Sequence, residues 1–208
     1  MLYRHTVAVV ACAVSLLTSS AFAASVNVAG KEWRQVSETL GYSWTQIAGV
    51  CPAGGGVCTG SLVGADFTGW TWATIEEVGN LLFPVYNPSF PGGISAHTQA
   101  GSPWAPAFLT DFYATDTTHG YDYVFGWTAT PADGTGSYAA NVTNWSNGGL
   151  FDEMKTNIVR LNQMSDPTLG AWLYHPIPLP PALPLMGLAM AGLGFTRKRR
   201  PAQPVSVN

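Results

Sequence analysis

The chain has 208 residues, 10% of them charged, with nine Lys and Arg against twelve Asp and Glu, a net charge of −3. All twelve acidic residues lie between residues 24 and 175, where only Lys31, Arg34, Lys155 and Arg160 oppose them, so that portion carries −8. Such a charge disfavours nucleic acid and anionic lipid as partners and is compatible with divalent cations or neutral glycans.

Residues 1–23 have the layout of a secretory signal peptide. Arg4 supplies the positive start, Val7 to Leu17 an apolar run of eleven residues, and Ala21-Phe22-Ala23 a small-x-small site that predicts cleavage before Ala24. Eleven apolar residues are too few to span a bilayer, which takes about 20. Ser25 to Trp33 reads as an extended segment, and Ser43 caps a short helix beginning at Trp44. Cys51 and Cys58, the two cysteines after the signal, predict a disulfide that would constrain the unfolded chain by about 2 kcal/mol. Thr74 with Glu77 three residues on is a capping box, and Ile75, Val78 and Leu82 then share one helical face. Glu76 and Glu77 therefore read as helix-terminal charges rather than a catalytic pair.

Residues 84–103 are rich in Pro, Gly and Ser and read as loop. Ser102-Pro103 starts a helix whose core-facing stripe is Trp104, Phe108 and Phe112. Tyr121 to Trp127 reads as a strand, Pro131-Ala132-Asp133-Gly134 as a turn, and Ser137 to Thr143 follows that turn. Residues 151–164 suit either helix or strand, and Leu169 to Tyr174 reads as the last strand. Of the eight tryptophans we expect six in the core, since Trp supplies large apolar area with a polar handle. The expected class is α+β: one small exported domain, residues 24–175, with antiparallel strands and two or three short helices.

Residues 176–201 form a three-part tail. A proline motif over 177–182 prevents helix formation, an apolar helix is expected over 182–196, and Arg197, Lys198, Arg199 and Arg200 form a basic stop. The uncharged run from Ala182 to Phe195 rises roughly 21 Å as helix, short of a hydrocarbon core of about 30 Å. Snorkelling arginines and local thinning let it cross. The basic cluster stays cytoplasmic, as Arg4 does, so the portion between faces outward.

Few side chains suggest chemistry. His97, His119 and His175 show no metal-ligand spacing, and no serine sits in a nucleophile elbow. Asp111 to Asp122 offers oxygen ligands without the calcium-loop arrangement. We expect no cofactor, no metal and no catalytic residue.

Ile177-Pro178-Leu179-Pro180, the Gly-rich apolar stretch Leu185 to Gly194 and the basic cluster closely resemble the PEP-CTERM class of sorting signals in its Val-Pro-Leu-Pro-Ala variant. The resemblance implies recognition by an exosortase after signal peptidase has acted, and transient anchoring in the inner membrane. It also implies a final place at the cell surface or in the exopolysaccharide matrix of a Gram-negative bacterium. The sorting residues it implies are Pro178, Leu179 and Pro180 with the basic stop. Gly30-Lys31-Glu32-Trp33, Gly69-Trp70-Thr71-Trp72-Ala73-Thr74-Ile75-Glu76-Glu77-Val78, Gly126-Trp127 and Gly170-Ala171-Trp172-Leu173-Tyr174 are similar to the mature part of other such proteins. More distantly they resemble the lectin-like C-terminal domain of bacterial collagen-like adhesins, which implies a C-type-lectin-like fold. The function expected is a non-catalytic, glycan-binding surface or matrix protein. Alternatives are a structural biofilm component without ligand and a secreted hydrolase with its site between Pro84 and Asp122, using His97 and His119.

Overall fold

The computed structural model describes residues 25–83, 85–118, 120–145 and 151–177. Ala21, Ala23 and Ala24 at the expected signal cleavage, His119, and the sorting residues from Pro178 to Arg200 lie outside these. In chain order the described residues form β1 (Val26–Val28), β2 (Lys31–Trp33), a 3-10 turn (Val36–Thr39), α1 (Trp44–Ala48), β3 (Gly56–Val57), β4 (Ser61–Leu62), β5 (Ala65–Asp66), β6 (Thr71–Trp72) and α2 (Ile75–Leu82). The second half adds β7 (Ala96–Ala100), α3 (Trp104–Asp111), β8 (Asp122–Pro131), β9 (Gly136–Asn144), β10 (Phe151–Leu161), β11 (Gly170–Ala171) and β12 (Leu173–Pro176). Antiparallel strands with three short helices make this a small α+β domain. No helix among the described residues is long and apolar enough to cross a membrane.

Local signals set the helices. Ser43 Oγ accepts the Gln46 N–H at 3.3 Å while Gln46 returns its carboxamide oxygen to the Ser43 N–H at 2.8 Å. Thr74 and Glu77 form the second such box, at 3.3 and 2.8 Å. Each satisfies two of the N–H groups that a helix start leaves without partners. In α3, Pro103 already has helical angles and Ser102 Oγ accepts the Ala105 N–H at 3.4 Å. Trp104, Phe108 and Phe112 are buried, as their four-residue spacing predicts.

Three strand readings change. Residues 25–33 are not one extended run but the hairpin β1–β2, because Ala29 and Gly30 take φ of 53° and 70°, the positive values a two-residue type I′ turn demands. Ala29 hides that turn from sequence reading. Within the Pro- and Gly-rich residues 84–103, Ala96–Ala100 is an edge strand paired to β10, so that stretch is not all loop. Leu169 to Tyr174 is two strands in different sheets. Residues 151–161, left open between helix and strand, are strand β10.

The first sheet has the order β1-β2-β12-β6-β3 and is antiparallel throughout. It pairs Lys31 with Pro176, setting the two ends of the described domain side by side. The second has the order β11-β8-β9-β10-β7, antiparallel except for β11 on β8. The chain passes from one sheet to the other at Trp172. Its N–H donates to Trp127 O at 3.0 Å, and its indole N–H reaches Ala140 O at 3.3 Å. A Cβ on Gly126 would lie 2.8 Å from that indole nitrogen, so the Gly-Trp pairing is a packing requirement.

Alternation along β8, β9 and β10 divides the core in two. Val124, Ala140, Val142 and Met154 face one way, against Val78, Leu81 and Leu82 of α2 and Trp104 and Phe108 of α3. Phe125, Trp127 and Ala139 face the other way, toward Trp44 and Ile47 of α1, the disulfide and Trp72. Six of the eight tryptophans are buried. Truncating any of the four fully buried ones, Trp33, Trp72, Trp127 and Trp172, to Ala is expected to cost about 3–5 kcal/mol.

Candidate functional site

The cover over the second face stops short. Trp127 is sealed, with its indole N–H donating to Tyr42 O at 3.1 Å. Tyr123, two and four residues away from Phe125 and Trp127 on the same face, is only partly covered. Register completes an open surface: Tyr123 lies opposite Thr143, Phe125 opposite Asn141, and Glu153 opposite Thr143 on its other side. A bulge between Lys155 and Ile158 inserts one residue into β10. It shifts the parity of the strand, so Ile158 and Arg160 share the face of Glu153 and Lys155. Without it both would point to the opposite side.

The result is a cleft of about 290 Å³ walled on its far side by Met164, Asp166 and Thr168. The Tyr121 and Trp145 rings lie 4.2 Å apart between centroids, tilted by 40°, and Tyr121 lies 5.6 Å from Tyr123. The Arg160 guanidinium sits 5.6 Å from the Phe125 ring, a cation–π contact. The Tyr123 hydroxyl donates toward Thr168 Oγ1 at 2.9 Å, with Asp116 Oδ2 at 3.2 Å, and Thr168 donates on to Asp166 at 2.8 Å. Burial of the phenol pushes the Tyr123 pKa up, and the Asp116 and Asp166 charges add to this against an opposing contribution from Thr168. The hydroxyl therefore stays protonated at neutral pH and donates within this network. Asn141 Nδ2 donates to Thr143 Oγ1 at 3.0 Å, while its Oδ1 is buried without a partner. Glu153 is neutralised by Lys155 at 2.7 Å.

Backbone anchoring holds the Trp145 end. The Trp145 N–H donates to Asp152 Oδ1 at 3.0 Å, and Ser102 gives both its N–H (2.8 Å) and its hydroxyl (2.7 Å) to Asp152 Oδ2. Asp152, 3% exposed, thus ties the end of β9 to the start of α3. Ring faces, a carboxamide, hydroxyls and a paired carboxylate suit a ligand with apolar faces and rows of hydroxyl groups.

The described residues singled out in the sequence lie in separate settings, and His119 lies outside them. His97 lies on β7, its ring 6.3 Å from Trp104 and its Nε2 buried without a partner. The His175 ring lies 3.9 Å from the Trp70 ring, tilted by 32°, and Arg34 lies 5.6 Å from the same indole, which stays half-buried. Asp111 accepts the Tyr86 hydroxyl at 2.6 Å rather than joining a cation loop, and that acceptor, after burial itself, pushes the Tyr86 pKa up. Among the described residues no group of three or more His, Cys, Asp or Glu is placed to hold a metal ion. Cys51 and Cys58 form the expected disulfide, both buried. Glu77 caps α2 and also receives Lys31 at 3.0 Å and the Tyr174 hydroxyl, a structural role. Tyr121, Tyr123 and Phe125 read in the sequence only as part of a strand, although with Trp127 they alternate in period two, the mark of one aromatic sheet face.

Comparison with protein-family models, with curated proteins and with solved structures gives no significant match for this chain.

Proposed function

We propose that this chain is an exported, non-catalytic surface or matrix protein whose domain binds glycan in the cleft of Tyr121, Tyr123 and Trp145. One observation carries the reading: a concave surface in which clustered aromatic rings lie among hydroxyl, carboxamide and ion-paired groups. Binding sites combine apolar walls with a few placed polar groups in this way, and a sugar ring offers one apolar face and an equatorial belt of hydroxyls. The net charge of −8 over residues 24–175 favours a neutral saccharide over an anionic one. The resemblance to lectin-like adhesin domains, with its C-type-lectin-like fold, points the same way.

For export, the support is the signal-like start, the PEP-CTERM-like tail and the disulfide, which persists in oxidising compartments. Signal peptidase and an exosortase would process the two ends in turn. The paired strands β2 and β12 set both ends on one side of the domain, leaving the remainder free to meet a matrix.

The test is binding of the full chain to an array of neutral and anionic polysaccharides, beside Trp145→Ala. Saturable binding to a neutral glycan, weakened tenfold or more (about 1.4 kcal/mol) in Trp145→Ala, is expected. Binding equal to that of heat-denatured protein would remove the glycan reading and leave a structural matrix role. Mass spectrometry of protein from the source cell should show a start at Ala24 and loss of the basic stop. Intact chains with free thiols in the cytosol would overturn export.

A further inference from the structure

Strand β7 ends the second sheet, so among the described residues one of its sides has no neighbouring strand. The hydrogen-bond phase shows which groups that side presents. The Thr156 N–H donates to Ser95 O at 2.9 Å, so Ser95 faces Thr156 in a bonded position of the ladder. Antiparallel ladders alternate such positions with ones whose N–H and C=O point away. His97 and Gln99 therefore turn their backbone groups toward β10, and Ala96, Thr98 and Ala100 turn theirs outward. All three are exposed, and no other described strand pairs with them.

An open edge invites another strand, and folded proteins blunt it with a charge, a proline, a bulge or a very short strand. β7 carries no charge and no proline, and its register with β10 runs unbroken from Ala96 to Ala100. It has five residues, against three in β1 and two in β3 and β11, the other strands that end the five-stranded sheets. Its surroundings are uncharged as well. Residues 24–175 carry −8, yet no Asp, Glu, Lys or Arg lies between Glu77 and Asp111. Phe83, Val85 and Ile94 in that stretch are exposed. Two acidic copies repel one another over most of their surface, and least along this edge.

We infer that β7 pairs with β7 of a second copy of this chain, antiparallel and centred on Thr98. That register sets Thr98 against the partner's Thr98, and Ala96 against the partner's Ala100. Each such pair exchanges two N–H···O bonds, and no charges of like sign meet. The two-fold axis stands perpendicular to the sheet, so the joined sheet carries both Tyr123 clefts on the same face. The pairing does not depend on what the cleft binds.

The test follows the mass of the full chain in detergent by analytical ultracentrifugation between about 1 μM and about 1 mM, a range that brackets small interfaces. The wild type should pass from monomer to dimer as concentration rises. Thr98→Pro removes an outward N–H and spares the bonds to β10, and should raise the dissociation constant tenfold or more. Ala96→Glu with Ala100→Glu in one chain should do the same, because carboxylates then meet across the axis. Ala96→Glu with Ala100→Lys should restore dimers at least as tight as wild type, because each carboxylate then meets an ammonium. Both double variants share the change beside Lys155, so their comparison isolates position 100. Should Thr98→Pro lower the melting transition, the two charge variants decide alone. A monomer at every concentration, or a dimer that every variant leaves unchanged, overturns the inference. So does a dimer that the paired glutamates weaken and the glutamate–lysine variant fails to restore, since that places the contact in another register.

Discussion

The two faces of the β8–β9–β10 sheet are made by the same strands, yet the stretch under helices on one is fully buried while the cover on the other ends over Tyr123 and Phe125. On the first, α2 and α3 lie over Val124, Ala140, Val142 and Met154, and each of these is fully buried. On the second, α1 and the disulfide loop cover Trp127, Ala129 and Ala139, then stop, leaving Phe125 9% exposed and Tyr123 and Trp145 more so. Alternation alone gives both faces apolar residues. The difference comes from what is available to cover them: two eight-residue helices on one side, one five-residue helix on the other. Uncovered aromatic area beside polar groups has an unfavourable contact with water, which a ligand can relieve. Stability should therefore reside on the sealed side and binding on the open one.

The sharpest way to break that division is Gly170→Ala. Its Cβ would lie 2.1 Å from Val36 O and 3.0 Å from Thr39 Oγ1, where the 3-10 turn meets β11. Displacing backbone there is expected to cost roughly 3 kcal/mol, lowering Tm by about 10 °C in a thermal melt. Next comes the staple. Cys51→Ser with Cys58→Ser should cost about 2 kcal/mol from the loosened unfolded chain, measured by urea denaturation. Thr74→Ala, which removes one half of the α2 capping box, should cost about 1 kcal/mol, with the change seen in the same urea titration. Trp145→Ala should change stability least, by up to about 1 kcal/mol for the lost contact with the Tyr121 ring, because its anchoring bond to Asp152 is made by the backbone. A large loss of stability there would mean that the open side is core after all.

Acid should separate the regions in the same sense. Burial raises the Glu77 pKa, but hydrogen bonds from Tyr174, the Thr74 amide and Lys31 outweigh it and hold the carboxyl below its ordinary 4.5. The hydroxyl of Ser61 and the amide of Thr68 hold Asp66 down to about 2, against an ordinary 3.8. A carboxylate with a lowered folded pKa contributes stability above its unfolded pKa and loses it as pH falls through the folded one. Stability should hold above about pH 4.5 and decline below it, through Glu77 first and Asp66 toward pH 2. Glu77→Gln should flatten the upper part of that decline in melts taken from pH 6 to pH 2.

Much of what covers both faces was legible in the sequence because its signals are local. Ser43 and Thr74 cap within three residues, Trp104, Phe108 and Phe112 form one helical stripe, and Cys51 has one partner after the signal. The strands were harder wherever they depend on distant neighbours. Ala96–Ala100 is a polar edge strand that exists because β10 offers it a partner. Gly170 to Pro176 looks continuous, and only the packing of Trp172 under Gly126 divides it between two sheets. The cleft was hidden for the same reason. Tyr121, Tyr123 and Phe125 read as strand formers, and nothing nearby in sequence says that their cover ends after Trp127. The parity shift at the β10 bulge, which brings Arg160 to Phe125, has no sequence mark at all.

The most direct test of the account is a nuclear magnetic resonance footprint of a bound neutral glycan on the isotopically labelled full chain. Shift changes should gather at the indole N–H of Trp145 and at the amides of Tyr123, Asn141 and Thr143, and leave the indole N–H of Trp172 unmoved. Changes centred on Trp70 and His175, or on the helical face around Trp104, would contradict it.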